Sequence, residues 1–252
     1  MSRLFFAMRA KLPFFEIPFG RSLVEKDRHL TLTFLGEKKK DEILPQMQKL
    51  PLPFNLLSPS ARCDEILFLS NVAALNVKFF TDLACVLSIK RELDSLFEID
   101  NAQTWLPHIS LARAPFDITG YQKLKINLPA LFTSFHLYES KGSLTYDPIW
   151  SFEFLEPFEI VSHTADLAFN IRGETFSDLF HSAALAICFQ YPHLFKFYEK
   201  KECTNLEEVI ERLNQFITLC DIEIGSQIKA VSHCSSIALD NKIYTWEMIL
   251  DL

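Results

Sequence analysis

Short runs that alternate apolar and polar residues dominate the first three fifths of the chain. Residues 3–8 and 28–35 read as strands, and so do 65–70 and 74–80, joined by a tight turn at Asn71-Val72. Further strands are predicted at 106–112, 123–128, 133–139 and 149–155. A short helix fits 41–49 and is stopped by Pro51 and Pro53. Over 82–98 the period changes: Leu83, Val86, Leu87, Leu93, Leu96 and Phe97 gather mostly on one helical stripe. A new pattern starts after Glu156-Pro157. It runs strand (158–161), strand (167–172), helix (176–189), helix (205–219), then strands at 227–232, 235–239 and 243–250. Thr175, with Asp178 three residues on, suits the start of the first helix; Asn205, followed by Glu207 and Glu208, suits the second. Asn241-Lys242 falls where a hairpin turn is required. The reading is an α+β chain of two domains, 1–155 and 156–252.

Charge sharpens that division. Residues 1–155 hold 18 Lys and Arg against 17 Asp and Glu, a net +1, and residues 156–252 hold 7 against 15, a net −8. The first part can accept nucleic acid through local Arg and Lys, whereas the second suits a protein or a cation better than a phosphate backbone. No window approaches the roughly 18 apolar residues of a membrane span, so no membrane association is expected. The start, Met1-Ser2-Arg3-Leu4-Phe5-Phe6-Ala7, reads as a strand rather than a signal peptide. Six scattered cysteines without a C-x-x-C argue against a disulfide framework or thiolate metal cluster, and a cytoplasmic location is the expectation.

Within these patterns one phrase occurs twice. His29-Leu30-Thr31-Leu32-Thr33-Phe34-Leu35-Gly36 and Pro107-His108-Ile109-Ser110-Leu111-Ala112-Arg113 both read His-x-Thr/Ser-x in an apolar run, 79 residues apart. Alternation sets His29 and Thr31 on one strand face, away from Leu30 and Leu32, and repeats this for His108 and Ser110 against Ile109 and Leu111. A lone histidine on a strand is normally packed or solvated; two copies in matching contexts point to an acid/base pair. The chemistry suits a 2′,3′-cyclic phosphate. One imidazole takes a proton from the attacking water, the other protonates the departing ribose oxygen, and the hydroxyls of Thr31 and Ser110 donate to the non-bridging oxygens. No metal is called for in that scheme.

On these motifs residues 1–155 resemble the two-histidine phosphoesterase superfamily, specifically the RNA 2′,3′-cyclic phosphodiesterases. Ser110 stands where Thr is common, and the hydroxyl is kept. The resemblance implies a bilobal fold of antiparallel sheets with flanking helices. It also implies His29 as proton donor, His108 as proton acceptor and Arg113 as a phosphate-binding residue. Simple alternation puts Arg113 on the face opposite His108, so it reaches the site only if the strand ends or bulges near Ala112. The long helix usual before the first motif is expected to be shortened or lost, since only about twenty residues, Pro13 and Pro18 among them, are available for it.

The second part offers carboxylates: Asp166 in a loop, Asp251 next to the final residue, and the carboxylate of Leu252. These are hard oxygen donors of the kind Ca²⁺ or Mg²⁺ takes, although terminal acids are normally just solvated. Residues 156–252 resemble archease, which activates the RNA ligase that joins 3′-phosphate or 2′,3′-cyclic phosphate ends to 5′-hydroxyls. The resemblance rests on His163-Thr164-Ala165-Asp166, on Ala183-Ala184-Leu185-Ala186, on Ile228-Lys229-Ala230-Val231-Ser232-His233 and on Leu250-Asp251-Leu252. It implies a smaller α/β sandwich and a divalent cation held by Asp166, Asp251 and Leu252. Few residues remain between the second helix and the Lys229-Ala230-Val231 strand, so this version is trimmed. His163 and His233 are further polar candidates, more simply read as turn and strand residues.

Both halves then concern RNA ends, and the expectation is a phosphodiesterase joined to a ligase activator in RNA repair or tRNA splicing. Its partners would be RNA with 2′,3′-cyclic phosphate ends and a 3′-phosphate RNA ligase. Two rivals stay open: a non-catalytic RNA-end binder, and a second domain that serves only dimerisation.

Overall fold

The computed structural model describes residues 1–52, 56–80, 83–99, 105–162, 167–225, 227–233 and 237–252. It divides into two compact units, Met1–Leu155 and Glu156–Leu252. Both are α+β with antiparallel pairing throughout their sheets.

Unit 1 carries strands β1 (Ser2–Lys11), β2 (Gly20–Ser22), β3 (His29–Lys38), β4 (Ser60–Cys63), β5 (Ile66–Leu69), β6 (Val72–Asn76), β7 (Lys78–Phe79), β8 (His108–Phe116), β9 (Leu128–Gly142) and β10 (Thr145–Glu153). Helices α1 (Lys40–Ile43), α2 (Leu83–Leu96) and α3 (Ile118–Lys123) accompany them. The sheet order is β5-β6-β8-β3-β1-β9-β4-β7, with β10 on β9 and β2 on β8. Among the described residues, the strands around β8 join those around β1 and β9 in the sheet through the pair of Leu30 on β3 with Ile109 on β8. Leu4, Phe6, Met8, Leu30, Leu32, Phe135 and Leu137 form one apolar face, joined by Val86, Ile89 and Leu93 of α2 in the same core. Burial of this size supplies the main drive to fold. The opposite face of β1, β3 and β9 carries Arg3, Phe5, His29, Thr31, His136 and Tyr138.

Two readings of the sequence differ from the structure. Of the segment 123–128, read as a strand, Lys123 ends helix α3, whose start is capped by the Asp117 carboxylate accepting from the Gly120 amide, residues 124–127 connect, and Leu128 begins β9. The hairpin turn between β5 and β6 is Ser70-Asn71, because Leu69 pairs with Val72. The short strands β2 and β4 have too few residues to show a period. Between β1 and β3 the backbone forms β2 and a single 3₁₀ turn at Glu25–Asp27, with no α-helix.

Unit 2 is a five-stranded sheet with two long helices: β11 (Phe158–Val161), β12 (Leu167–Gly173), α4 (Phe176–Gln190), α5 (Leu206–Ile224), β13 (Ala230–His233), β14 (Ala238–Asp240) and β15 (Ile243–Asp251). The order is β11-β12-β15-β13, with β14 also on β15. Thr175 and Asp178 form a reciprocal capping box at the start of α4. Helix α4 is buried on almost every side because it packs against both the sheet and α5. Gly173 ends β12 where a Cβ would lie 2.6 Å from the Leu179 amide nitrogen, so only glycine lets strand and helix approach this closely.

Candidate active site

The register of two strands assembles the centre of unit 1. Leu30 pairs with Ile109. One step to either side, antiparallel geometry sets His29 across from Ser110 and Thr31 across from His108. Each imidazole therefore has the other motif's hydroxyl as its cross-strand neighbour. All four side chains line one cavity of about 340 Å³.

Both rings are held in the same way. His29 Nδ1 lies 2.7 Å from the carbonyl oxygen of Asp27, and His108 Nδ1 lies 2.8 Å from that of Leu106. A carbonyl can only accept, so Nδ1 carries the proton in each ring and Nε2 is the nitrogen left for chemistry. The carbonyl stands two residues before the histidine in both motifs.

Each motif strand also bulges at the same place. Against β1, Leu32 is the extra residue of β3, between the Phe6–Thr33 and Ala7–Thr31 pairs. Against β6, Leu111 is the extra residue of β8, between the Ala73–Ala112 and Ala74–Ser110 pairs. A bulge shifts the alternation by one. Thr33 thus turns away from the cavity and donates to the Asp94 carboxylate of α2 at 2.7 Å. Five residues after each histidine, Phe34 and Arg113 come to line the cavity. This is how Arg113 reaches the face that strict alternation denies it.

The two histidines differ in surroundings. His29 is buried among Phe5, Tyr138 and Tyr146, with ring centroids at 5.1, 5.6 and 4.8 Å. Burial disfavours the imidazolium and lowers its pKa to about 4; the bond to Asp27 opposes this, and His108, Arg113 and His136 add to it. His29 is therefore neutral at pH 7 in the free protein. His108 is half-buried.

Sequence reasoning passed over several residues here. Arg3, Phe5, Arg21 and Tyr146 also line the cavity. For Arg3 and Phe5 a signal existed, since 3, 5, 7 and 9 alternate with the apolar 4, 6, 8 and 10 of β1. His136 lies behind His29, gripped by Ser134 Oγ at Nε2 (2.6 Å) and Ser151 Oγ at Nδ1 (2.7 Å), with its pKa lowered to about 4 by burial and by Arg9.

In unit 2, Asp166 and His163 lie outside the described residues. Asp251 ends β15, paired with Ala230, and the preceding pair, Leu250 with Leu167, brings the start of β12 beside that end. Lys229 Nζ donates to the main-chain oxygen of Leu252. Carboxylate oxygens are a fitting donor set for a hard divalent cation, and Lys229 would have to release one of them. Among the described residues no three His, Cys, Asp or Glu side chains converge on a metal-sized site. No described helix is long and apolar enough to cross a membrane.

No protein-family model matches the chain, and no curated protein does. Among solved structures, Escherichia coli LigT complexed with 3′-AMP is 22% identical, over 61% of this chain and 98% of LigT, with a TM-score of 0.43. The apo form of E. coli LigT is 21% identical over 61% of this chain and 97% of its own, at 0.44. TT0787 of Thermus thermophilus is 21% identical over 60% and 97%, at 0.39. What the cavity can do follows from its own residues.

Proposed function

We propose that unit 1 is a phosphoric diester hydrolase that opens 2′,3′-cyclic phosphate ends of RNA without a metal. One observation carries the reading: two imidazoles, each fixed at Nδ1 by the carbonyl two residues upstream, open Nε2 on one cavity beside two hydroxyls and a guanidinium. Water attacks phosphorus and gives its proton to His108 Nε2. The bond from phosphorus to one ribose oxygen breaks, and that oxygen takes a proton from His29 Nε2. The product is a phosphomonoester, and proton exchange with solvent resets the pair. Thr31, Ser110 and Arg113 hold the non-bridging oxygens as their charge grows. His29 acquires its proton with the substrate, because a neighbouring anion favours the imidazolium.

For unit 2 the reading is an archease-like activator of a 3′-phosphate RNA ligase, with Ca²⁺ or Mg²⁺ held by Asp166, Asp251 and Leu252. Such a cation would orient phosphate oxygens during activation of the ligase. The carboxylates at the end of β15 and the net −8 of this part support it. A cytoplasmic RNA-repair or tRNA-splicing role follows from joining the two readings.

The burial that keeps His29 neutral favours a second reading, an RNA-end binder without turnover. Hydrolysis of an oligonucleotide ending in a 2′,3′-cyclic phosphate, in EDTA, separates the two. Turnover by the wild type that falls at least about 100-fold in both His29→Ala and His108→Ala supports the diesterase. Binding without turnover in all three proteins supports the binder.

A further inference from the structure

The cavity holds more positive charge than a cyclic phosphate can use. Arg3, Arg21 and Arg113 all line it, and among the described residues no Asp or Glu does. Among the described residues none of the three guanidiniums has an ion-pair partner. Arg21 and Arg113 are direct cross-strand partners on β2 and β8, an arrangement of like charges that costs stability unless an anion lies between them. The placement of Arg21 is enforced: Leu23 N bonds the Leu111 carbonyl at 2.8 Å, and Gly20 sits so close to β8 that a Cβ would lie 2.9 Å from that of Phe116. Arg3 reaches the cavity from β1, two residues before Phe5, which packs on His29.

A ribose 2′,3′-cyclic phosphate is a diester with one negative charge. Arg113 and the two hydroxyls suffice for it, which leaves Arg21 beside a like charge, and Arg3 with its cross-strand neighbour Glu37 but, among the described residues, no ion pair to it. A volume of 340 Å³ falls in the range of cavities that enclose a whole small ligand rather than one phosphate.

We propose that Arg3 and Arg21 form a second anion subsite, which selects substrates carrying at least one phosphate beyond the cyclic one. The proposal rests on the diesterase reading for its reacting phosphate, while the subsite itself can be tested without turnover. A guanidinium meets phosphate through paired, charge-assisted hydrogen bonds. The ligand class is a nucleotide 2′,3′-cyclic phosphate with a further phosphate, either a terminal 5′-monoester or the internal diester of an oligonucleotide.

The test compares kcat/KM of the full-length protein on adenosine 2′,3′-cyclic phosphate, on the same compound with a 5′-phosphate, and on the dinucleotide ApA with a 2′,3′-cyclic end. At least one doubly phosphorylated substrate is expected to exceed the first by about tenfold or more, the worth of one charged contact. Preference for the 5′-phosphorylated compound alone identifies a terminal monoester, and preference for the dinucleotide alone an internal diester. The ratio is expected to fall toward one in Arg3→Gln and Arg21→Gln, and to be partly kept in Arg3→Lys and Arg21→Lys. A wild-type ratio near one for both substrates, or a ratio unmoved by either glutamine variant, overturns the proposal. Should no substrate turn over, the diesterase reading fails, and calorimetry of adenosine 3′,5′-bisphosphate against 3′-AMP tests the subsite alone. Tighter bisphosphate binding that the glutamine variants lose sustains it; equal binding overturns it.

Discussion

Burying an imidazole ties stability to pH, and unit 1 buries two. His29 and His136 have folded pKa values near 4, each lowered chiefly by burial, against about 6.5 in an unfolded chain. Between those values the unfolded chain binds a proton that the folded one refuses. Stability is therefore complete above about pH 6.5 and is lost as pH falls toward 4. For His29 alone the shift corresponds to about 3 kcal/mol. Urea unfolding of His29→Gln at pH 7 and at pH 4 checks this. The variant is expected to lose about 3 kcal/mol less than the wild type across that interval; equal losses would mean that His29 is solvated in the folded state. The same neutrality makes the free site receptive, because a neutral His29 spares the arginines one more like charge until a phosphate arrives. That His29, Thr31, His108 and Ser110 line one cavity is legible in the repeated His-x-Thr/Ser phrase. What surrounds them is not: Tyr146, Arg21 and His136 come from strands other than the two that carry the phrase, and no local spacing announces them.

Elements show where legibility in the sequence stops and why. Long periodic segments are read well: α2, α4 and α5 lie close to the stripes and caps that predicted them, with Thr175 and Asn205 both accepting an amide proton at N3. The mixed, antiparallel α+β class is legible for the same reason. Bulges are not, because a single extra residue leaves no mark on composition, yet those at Leu32 and Leu111 decide which side chains face the cavity. Short edge strands are missed too, and β2 is the one that matters. It has three residues, and its seat on β8 depends on Gly20 having no side chain. Gly20→Ala is expected to lift β2 from β8 and displace Arg21, at about 1–3 kcal/mol in stability. Its preference for doubly phosphorylated substrates should fall toward that of Arg21→Gln, although residue 20 does not line the cavity. Unchanged preference together with unchanged stability would show that β2 is not held by this contact.

At the scale of the whole molecule the two parts carry opposite excesses, +1 over residues 1–155 and −8 over 156–252. A near-neutral first part has no overall field to attract RNA, so the proposed function requires that it concentrate its cations locally. Arg3, Arg21 and Arg113 at one cavity with no Asp or Glu among its described lining residues are such a concentration. Counterion release then gives a defined salt dependence. Single-stranded nucleic acid releases about 0.7 counterion for each phosphate neutralised, so one phosphate on Arg113 and one on the Arg3–Arg21 subsite correspond to a slope of about −1.4 in log affinity against log salt. Binding of the full-length protein to a short RNA with a 3′-phosphate end, titrated between about 50 and 200 mM salt, measures it. Arg113→Ala is expected to reduce the slope by about 0.7 and to weaken binding across unrelated sequences alike, since phosphate contacts carry no sequence information. A slope near zero would mean that the cavity holds its ligand by base contacts, and a much steeper one would mean that cations elsewhere in the chain take part.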